Sequence, residues 1–156
     1  MEALQKALLD PDETIRTRAL ELLAGRDKQG AIGVLVGLTK SQEPEMRLQA
    51  LSLLQENDQG DEKVLLFTLG AALSDEDVSI KTYAIEVLAD RGGPEAMDYL
   101  HQAFRDSNPS VRAMVLENAV QQEPGLPLLH EALQDEDEAV RSLAAFLLTR
   151  RDPEGR

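Results

Sequence analysis

The stretch Asp10 to Leu23, DPDETIRTRALELL, decides the fold, because its pattern returns four more times at nearly constant spacing. An acid opens it, an apolar and a basic residue follow five and six positions later, and Ala, Leu and Leu come next at helical spacing. Aligned on the base, the copies fall at Arg16, Arg47, Lys81, Arg112 and Arg141, which are 31, 34, 31 and 29 residues apart. A period near that value is solenoid-sized. Before each base stands Ile15, Met46, Ile80, Val111 or Val140, and three residues after it Ala19, Ala50, Ala84, Val115 or Ala144. Four after it come Leu20, Leu51, Ile85, Leu116 and Ala145, and seven after it Leu23, Leu54, Leu88, Ala119 and Leu148. These positions share one face of a 3.6-residue helix, so every copy predicts an amphipathic helix with a small side chain where helices approach closely. We term these the A helices.

Partner helices, termed B, fill the intervals. Glu2 to Leu9 reads as an opening half-unit of B type, and Asp10 followed by Pro11 as the acid cap and first turn of the first A helix. Arg26 to Gly30 reads as a polar turn, Ala31 to Lys40 as a B helix, and Glu43 and Pro44 as the opening of the second A helix. Asn57 to Gly60 makes a turn, and B helices follow over Asp61 to Leu73, Pro94 to Phe104 and Leu126 to Leu133. Glu123 to Gly125 forms the turn before the last of these. The final A helix runs to about Thr149. One domain over residues 1–150 and a flexible polar tail over residues 151–156 are expected.

Composition agrees with stacked helices. The chain has 156 residues, 42% hydrophobic but only 3% aromatic, so its core must come from Leu, Ile, Val and Ala. Its formal charge of -13 opposes nonspecific contact with nucleic acid or an anionic membrane surface. The absence of Cys excludes disulfides and thiolate metal sites or nucleophiles. No segment approaches the length of a membrane span and the N-terminus lacks the marks of a signal peptide, so a soluble, cytoplasmic chain is expected.

In these residues the chain resembles the HEAT repeat family, particularly the short bacterial HEAT-like repeats, over about residues 2 to 149. Family members carry an Asp at the A-helix start and an Arg six residues on. Asp10/Arg16, Asp106/Arg112 and Asp135/Arg141 match in full, Asp75/Lys81 replaces the base, and Ser41/Arg47 replaces the acid. The resemblance implies that these residues are structural, forming a ladder of charge-assisted hydrogen bonds between neighbouring repeats, with the rung between the first two repeats put in question by Ser41. It implies an all-α fold, an α-solenoid wound as a right-handed superhelix of about five helix pairs with half-repeats at both ends. A helices would then be convex and B helices concave.

Concave solenoid faces are the usual binding surfaces. On the B helices Leu4, Leu35, Leu69, Leu100 and Leu129 form a core column, so the flanking columns are expected to look outward. Two before the Leu stand Glu2, Gly33, Phe67, Asp98 and Pro127; one after it Gln5, Val36, Gly70, His101 and His130; two after it Lys6, Gly37, Ala71, Gln102 and Glu131. The early part is small and apolar: Gly33, Val36, Gly37, Phe67, Gly70 and Ala71 are candidate partner-binding residues, with His101 and His130 in the polar later part. Glycine costs about 1 kcal/mol relative to Ala in a helix, so either a partner packs on these residues or they let B helices approach one another. A zinc site at the two histidines would need carboxylates such as Asp98 or Glu131 as its further ligands, so they read as solvated groove histidines; the acid runs at Asp75 to Asp77 and Asp135 to Glu138 lack the pattern of a calcium loop and read as helix starts. No catalytic constellation, metal site or cofactor motif is found.

The last A helix is unusual. Ala139, Val140, Leu143, Ala144, Ala145, Phe146, Leu147 and Leu148 leave little polar face, where a terminal repeat is expected to be polar. A longer parent solenoid, another surface, or head-to-tail self-association through this C-terminal helix would each account for it. The expected function is a noncatalytic scaffold or adaptor binding a protein or peptide segment on the B-helix face. The resemblance also admits two alternatives, a bilin-lyase-like chaperone or other enzyme-like HEAT protein, and a DNA-binding HEAT-like protein.

Overall fold

The computed structural model describes residues 2–8, 10–25, 27–56, 62–120 and 125–151. Ten helices run through them: α1 Glu2–Ala7, α2 Glu13–Ala24, α3 Lys28–Leu38, α4 Pro44–Glu56, α5 Glu62–Ala72, α6 Val78–Arg91, α7 Gly93–Ala103, α8 Pro109–Ala119, α9 Gly125–Ala132 and α10 Glu138–Arg151. Among the described residues there is no strand. In repeat terms α2, α4, α6, α8 and α10 are A helices, α3, α5, α7 and α9 are B helices, and α1 is the opening half-unit. The turn expected at Asn57 to Gly60, Glu123 and Pro124 of the later turn, and the tail beyond Arg151 lie outside the described residues, as do the side chains of Glu2, Gln5, Lys6 and Leu20.

Contacts divide the chain into two compact units, Met1–Thr68 and Leu69–Arg156. In the first, α1 packs on α2, α2 on α3 and α3 on α4. In the second, each A helix packs on its own B helix and on the next A helix, α6 on α7 and α8, and α8 on α9 and α10. The cores are aliphatic: Leu23 and Leu35 are fully buried in the first unit, and Leu69, Leu88, Leu100, Leu116 and Leu128 in the second. Each such side chain contributes roughly 1.5 to 3 kcal/mol by leaving water.

The A helices start differently from the sequence expectation. Asp10 does not cap α2. Its Oδ1 accepts from the amide of Asp12 at 2.9 Å, and Asp12 is the cap, accepting from the amide of Thr14 at 2.8 Å. The same two steps recur at Asp75 and Asp77, Asp106 and Asn108, and Asp135 and Asp137. The first acid therefore closes a turn, and a second Asp or Asn two residues on satisfies the free amides of the helix. Likewise α3 begins at Lys28, inside the turn expected over Arg26 to Gly30, because Asp27 caps it by accepting from Gly30 N at 2.9 Å. Between α6 and α7, Gly92 and Gly93 have φ of 64° and 81°, a left-handed path open to glycine, and Pro94 restarts the helix.

Burial along the A-helix columns shows which way each column faces. Val140 is buried on α10, whose contacts are with α8 and α9, so the position before the base looks back to the preceding repeat. Val111 is buried there too, but Ile15, expected in the core, is 44% exposed. Only the six-residue α1 precedes it among the described residues. Within the second unit the position four after the base looks forward: Ile85 and Leu116 are buried and Ala145 is exposed.

Candidate functional site

The four arginines among the A-helix bases grip their own turns. Nη1 of Arg16, Arg47, Arg112 and Arg141 donates to the carbonyl of the residue six back, Asp10, Ser41, Asp106 and Asp135, at 2.6, 2.8, 2.8 and 2.7 Å. What differs is the outward grip. Arg112 reaches the next repeat with both remaining nitrogens, Nε to Asp135 Oδ2 at 2.8 Å and Nη2 to Asp135 Oδ1 at 2.7 Å, a bidentate pair. Lys81 makes the preceding rung to Asp106 Oδ2. Both lie within the second unit. In the first, the residue in register with Arg16 is Ser41, which has no carboxylate, and Arg16 Nε is buried without a hydrogen-bond partner.

Charge states follow the geometry. The Arg112 hydrogen bonds hold the Asp135 carboxyl below the usual carboxylate range against the opposing effect of burial, and Asp135 in return raises the guanidinium. Burial pushes Asp106 up, but the Lys81 ammonium and the Asn108 amide more than reverse it, and its carboxyl also ends lower. Asp12 is lowered chiefly by the Thr14 amide. All four groups are charged at neutral pH, which suits a structural ladder. A crevice of about 340 Å³ lies beside the Lys81 rung, lined by both its members with Gly70, Gln102 and Arg105 among others.

The candidate partner-binding residues fall in two sets. In the first unit Gly33, Gly37 and Phe67 are exposed and Val36 is half-buried, while Leu35 on the helix of the two glycines is buried. A Cβ at Gly33 or Gly37 would meet nothing within 4 Å, so neither glycine is required by packing. Phe67 is 67% exposed, the most open large apolar side chain among the described residues. In the second unit Ala71 is exposed, but Gly70 has a packing reason: a Cβ there would lie 2.2 Å from the Tyr99 ring. Of the two explanations for the glycines, close approach accounts for Gly70 and leaves Gly33 and Gly37 open.

Tyr99 was not among the sequence candidates. The available signal was a large residue on one B helix and, in the column of Val36, His101 and His130, a lone glycine on the helix before it. His101 and His130 do share a role. Each ring places Nδ1 2.9 Å from the carbonyl four residues back, of Met97 and of Leu126. Nδ1 is then the donor, and in the neutral ring Nε2 is the acceptor. Among the described residues no three His, Asp or Glu side chains are grouped to hold a metal ion, and no helix is long and apolar enough to cross a membrane.

Residues 66–124, a segment running from α5 through α8, match the HEAT repeats family, so the resemblance seen in the acid and base columns is supported there. No curated protein matches the chain. Among solved structures it is similar to a designed armadillo repeat protein in complex with the peptide (KR)4, with a TM-score of 0.51 and 18% identity over 93% of this chain and 79% of that one. A second is the C-terminal fragment of the cohesin loader SCC2 of Chaetomium thermophilum, with a TM-score of 0.47 and 18% identity over 96% of this chain and 11% of that one. The first likeness places the chain in the class of all-helical repeat solenoids.

Proposed function

We propose that this HEAT-like chain is a noncatalytic interaction scaffold that binds a protein or peptide segment on its exposed B-helix face. The exposure of Phe67 carries the proposal. It is a large apolar side chain at an outward position of a B helix, with Ala71 exposed one turn further on. A ring left mostly in water is the anchor expected of a recognition surface. Gly33, Val36 and Gly37 on α3 present the same outward columns with low relief, which suits close seating of a partner backbone.

The charge balance suggests the partner's chemistry. With 29 acids against 16 bases, the scaffold favours a segment that carries Lys or Arg around an apolar residue. The designed armadillo neighbour is itself in complex with a basic peptide. Opposite charge steers encounter and selects the partner, and the apolar anchor supplies most of the affinity.

The test is selection from a random peptide library on the wild-type chain, followed by titration of the selected peptides against Phe67→Asp. Basic peptides with an apolar residue are expected, bound at least tenfold more weakly by the variant, which keeps its full helicity. Unchanged affinity in Phe67→Asp would remove the site; selection of acidic peptides would remove the assignment of charge.

A further inference from the structure

The residues that shape the crevice beside the Lys81 rung are replaced at the rung that follows it. All of them belong to the second unit. Moving one repeat along the register takes Lys81 to Arg112 and Asp106 to Asp135. His101 then stands in place of Gly70, Arg105 in place of Ser74, and Glu131 and Gln134 in place of Gln102 and Arg105. Gly70, Ser74 and Lys81 are each smaller than the residue in register with them, and the space they border is about 340 Å³. That is near the lower end for small-ligand sites, roughly 300 to 1,000 Å³.

The change in charge follows the change in size. Gln102 and Arg105 place an amide and a cation where the next rung has Glu131 and Gln134. The crevice thus carries Lys81 and Arg105 against Asp106, a net positive spot in a chain of formal charge -13. Its donors are open. The Lys81 side chain is only 17% exposed, and of its three ammonium protons one goes to Asp106 and none to any other described residue. The Arg105, Gln102 and Ser74 side chains are exposed and make no hydrogen bond to a described residue. The last carbonyls of α5 and α7 would oppose an anion, but they already accept the turn amides of Ser74, Asp75, Arg105 and Asp106.

We propose that this crevice receives the C-terminal carboxylate of the segment that the scaffold binds, with Arg105 and Lys81 as its cationic partners and Gln102 and Ser74 as neutral donors. The inference rests on the peptide-binding reading and adds a direction to it. With 29 acids against 16 bases, the scaffold repels a segment that is acidic throughout. A basic segment still carries one carboxylate where its chain ends, and a single positive spot on an acidic scaffold suits that group. Charge-assisted hydrogen bonds to it are about twice as strong as neutral ones. Leu73 and Ala103, both buried, line the crevice as well and offer apolar contact to the final side chain.

The experiment selects peptides on the wild-type chain from a random library displayed with free C-termini. Each selected sequence is then titrated as the free acid and as the C-terminal amide, against wild type and against the double variant Gln102→Glu with Arg105→Gln. That variant gives the crevice the two residues of the next rung and leaves Lys81 and Asp106 in place, and circular dichroism checks its fold. Wild type is expected to bind the free acids roughly tenfold more tightly than the amides, and the double variant to lose that preference. If the double variant loses helicity, Arg105→Gln alone takes its place. Equal binding of acid and amide by wild type would overturn the carboxylate site while leaving the scaffold reading intact. So would a preference that survives in the variant. A library that yields no binder would remove the scaffold reading and this site together.

Discussion

Arg112 in the second unit and Arg16 in the first occupy the same repeat position, hold their own turns with the same nitrogen, and differ in what lies ahead of them. Arg112 is 5% exposed and meets a carboxylate with two hydrogen bonds; Arg16 is in register with a serine and has a buried Nε that bonds to nothing. Both repeats are nevertheless helical, with Leu23 as well buried in one as Leu116 in the other. The base thus has two separable duties. Gripping its own turn helps to shape a repeat, and reaching the next acid fastens one repeat to another.

The largest expected effect comes from removing one side of a completed rung. Arg112→Ala leaves the Asp135 carboxylate buried with only the Asp137 amide, and is expected to destabilise the second unit by about 3 to 5 kcal/mol, the cost of an abandoned buried charge. Arg16→Ala strands no carboxylate and is expected to cost about 1 kcal/mol. Chemical denaturation of the two variants measures the difference, and equal losses would mean that the rung adds nothing to the grip.

Acid should separate the units next. The folded carboxyls of Asp106 and Asp135 titrate below the ordinary value of 3.8, so their contribution is complete above that pH and is lost as pH falls through the lowered values. Hydrogen exchange followed from pH 6 downward is expected to show the α8 and α10 amides losing protection below about pH 4, and Asp135→Asn to flatten that dependence. An identical dependence in the variant would assign the acid sensitivity elsewhere.

The smallest effect is a gain. Ser41→Asp supplies the missing acid while keeping an acceptor for the Glu43 amide, and is expected to stabilise the first unit by about 1 kcal/mol by giving Arg16 Nε a partner. The gain should vanish in an Arg16→Ala background. Its persistence there would show that the aspartate acts on the turn alone.

The regular part of the molecule was legible because periodicity reports burial. The bases, the small residues three positions on and the B-helix leucines placed the helices in order, and the serine at position 41 marked the one rung in question. The cap residue was less legible because both Asp10 and Asp12 are acids able to hold an amide, and only the path of the backbone shows which amide each receives. Ile15 shares its apolar character with Ile80 and Val111; its exposure reflects what precedes it, which its own side chain does not encode. Gly70 looked like Gly33 and Gly37 because the residue that distinguishes it, Tyr99, stands on another helix. For the candidate surface, sequence supplied the columns, and the depth of each residue decided which glycines packing requires.

The short turns ahead of the A helices also bear on how the chain acquires its structure. In each, a side chain at Asp10, Ser41, Asp75, Asp106 or Asp135 accepts the amide just two residues on, with no help from distant parts of the chain. Closures this short occur within about 100 ns, well ahead of any docking between helices. The chain therefore carries several equivalent nuclei, and structure can spread from any of them to its immediate neighbours. Its folding rate is then expected to follow the growth of one repeat onto the next, and a lesion in one turn to delay only the growth that passes through it.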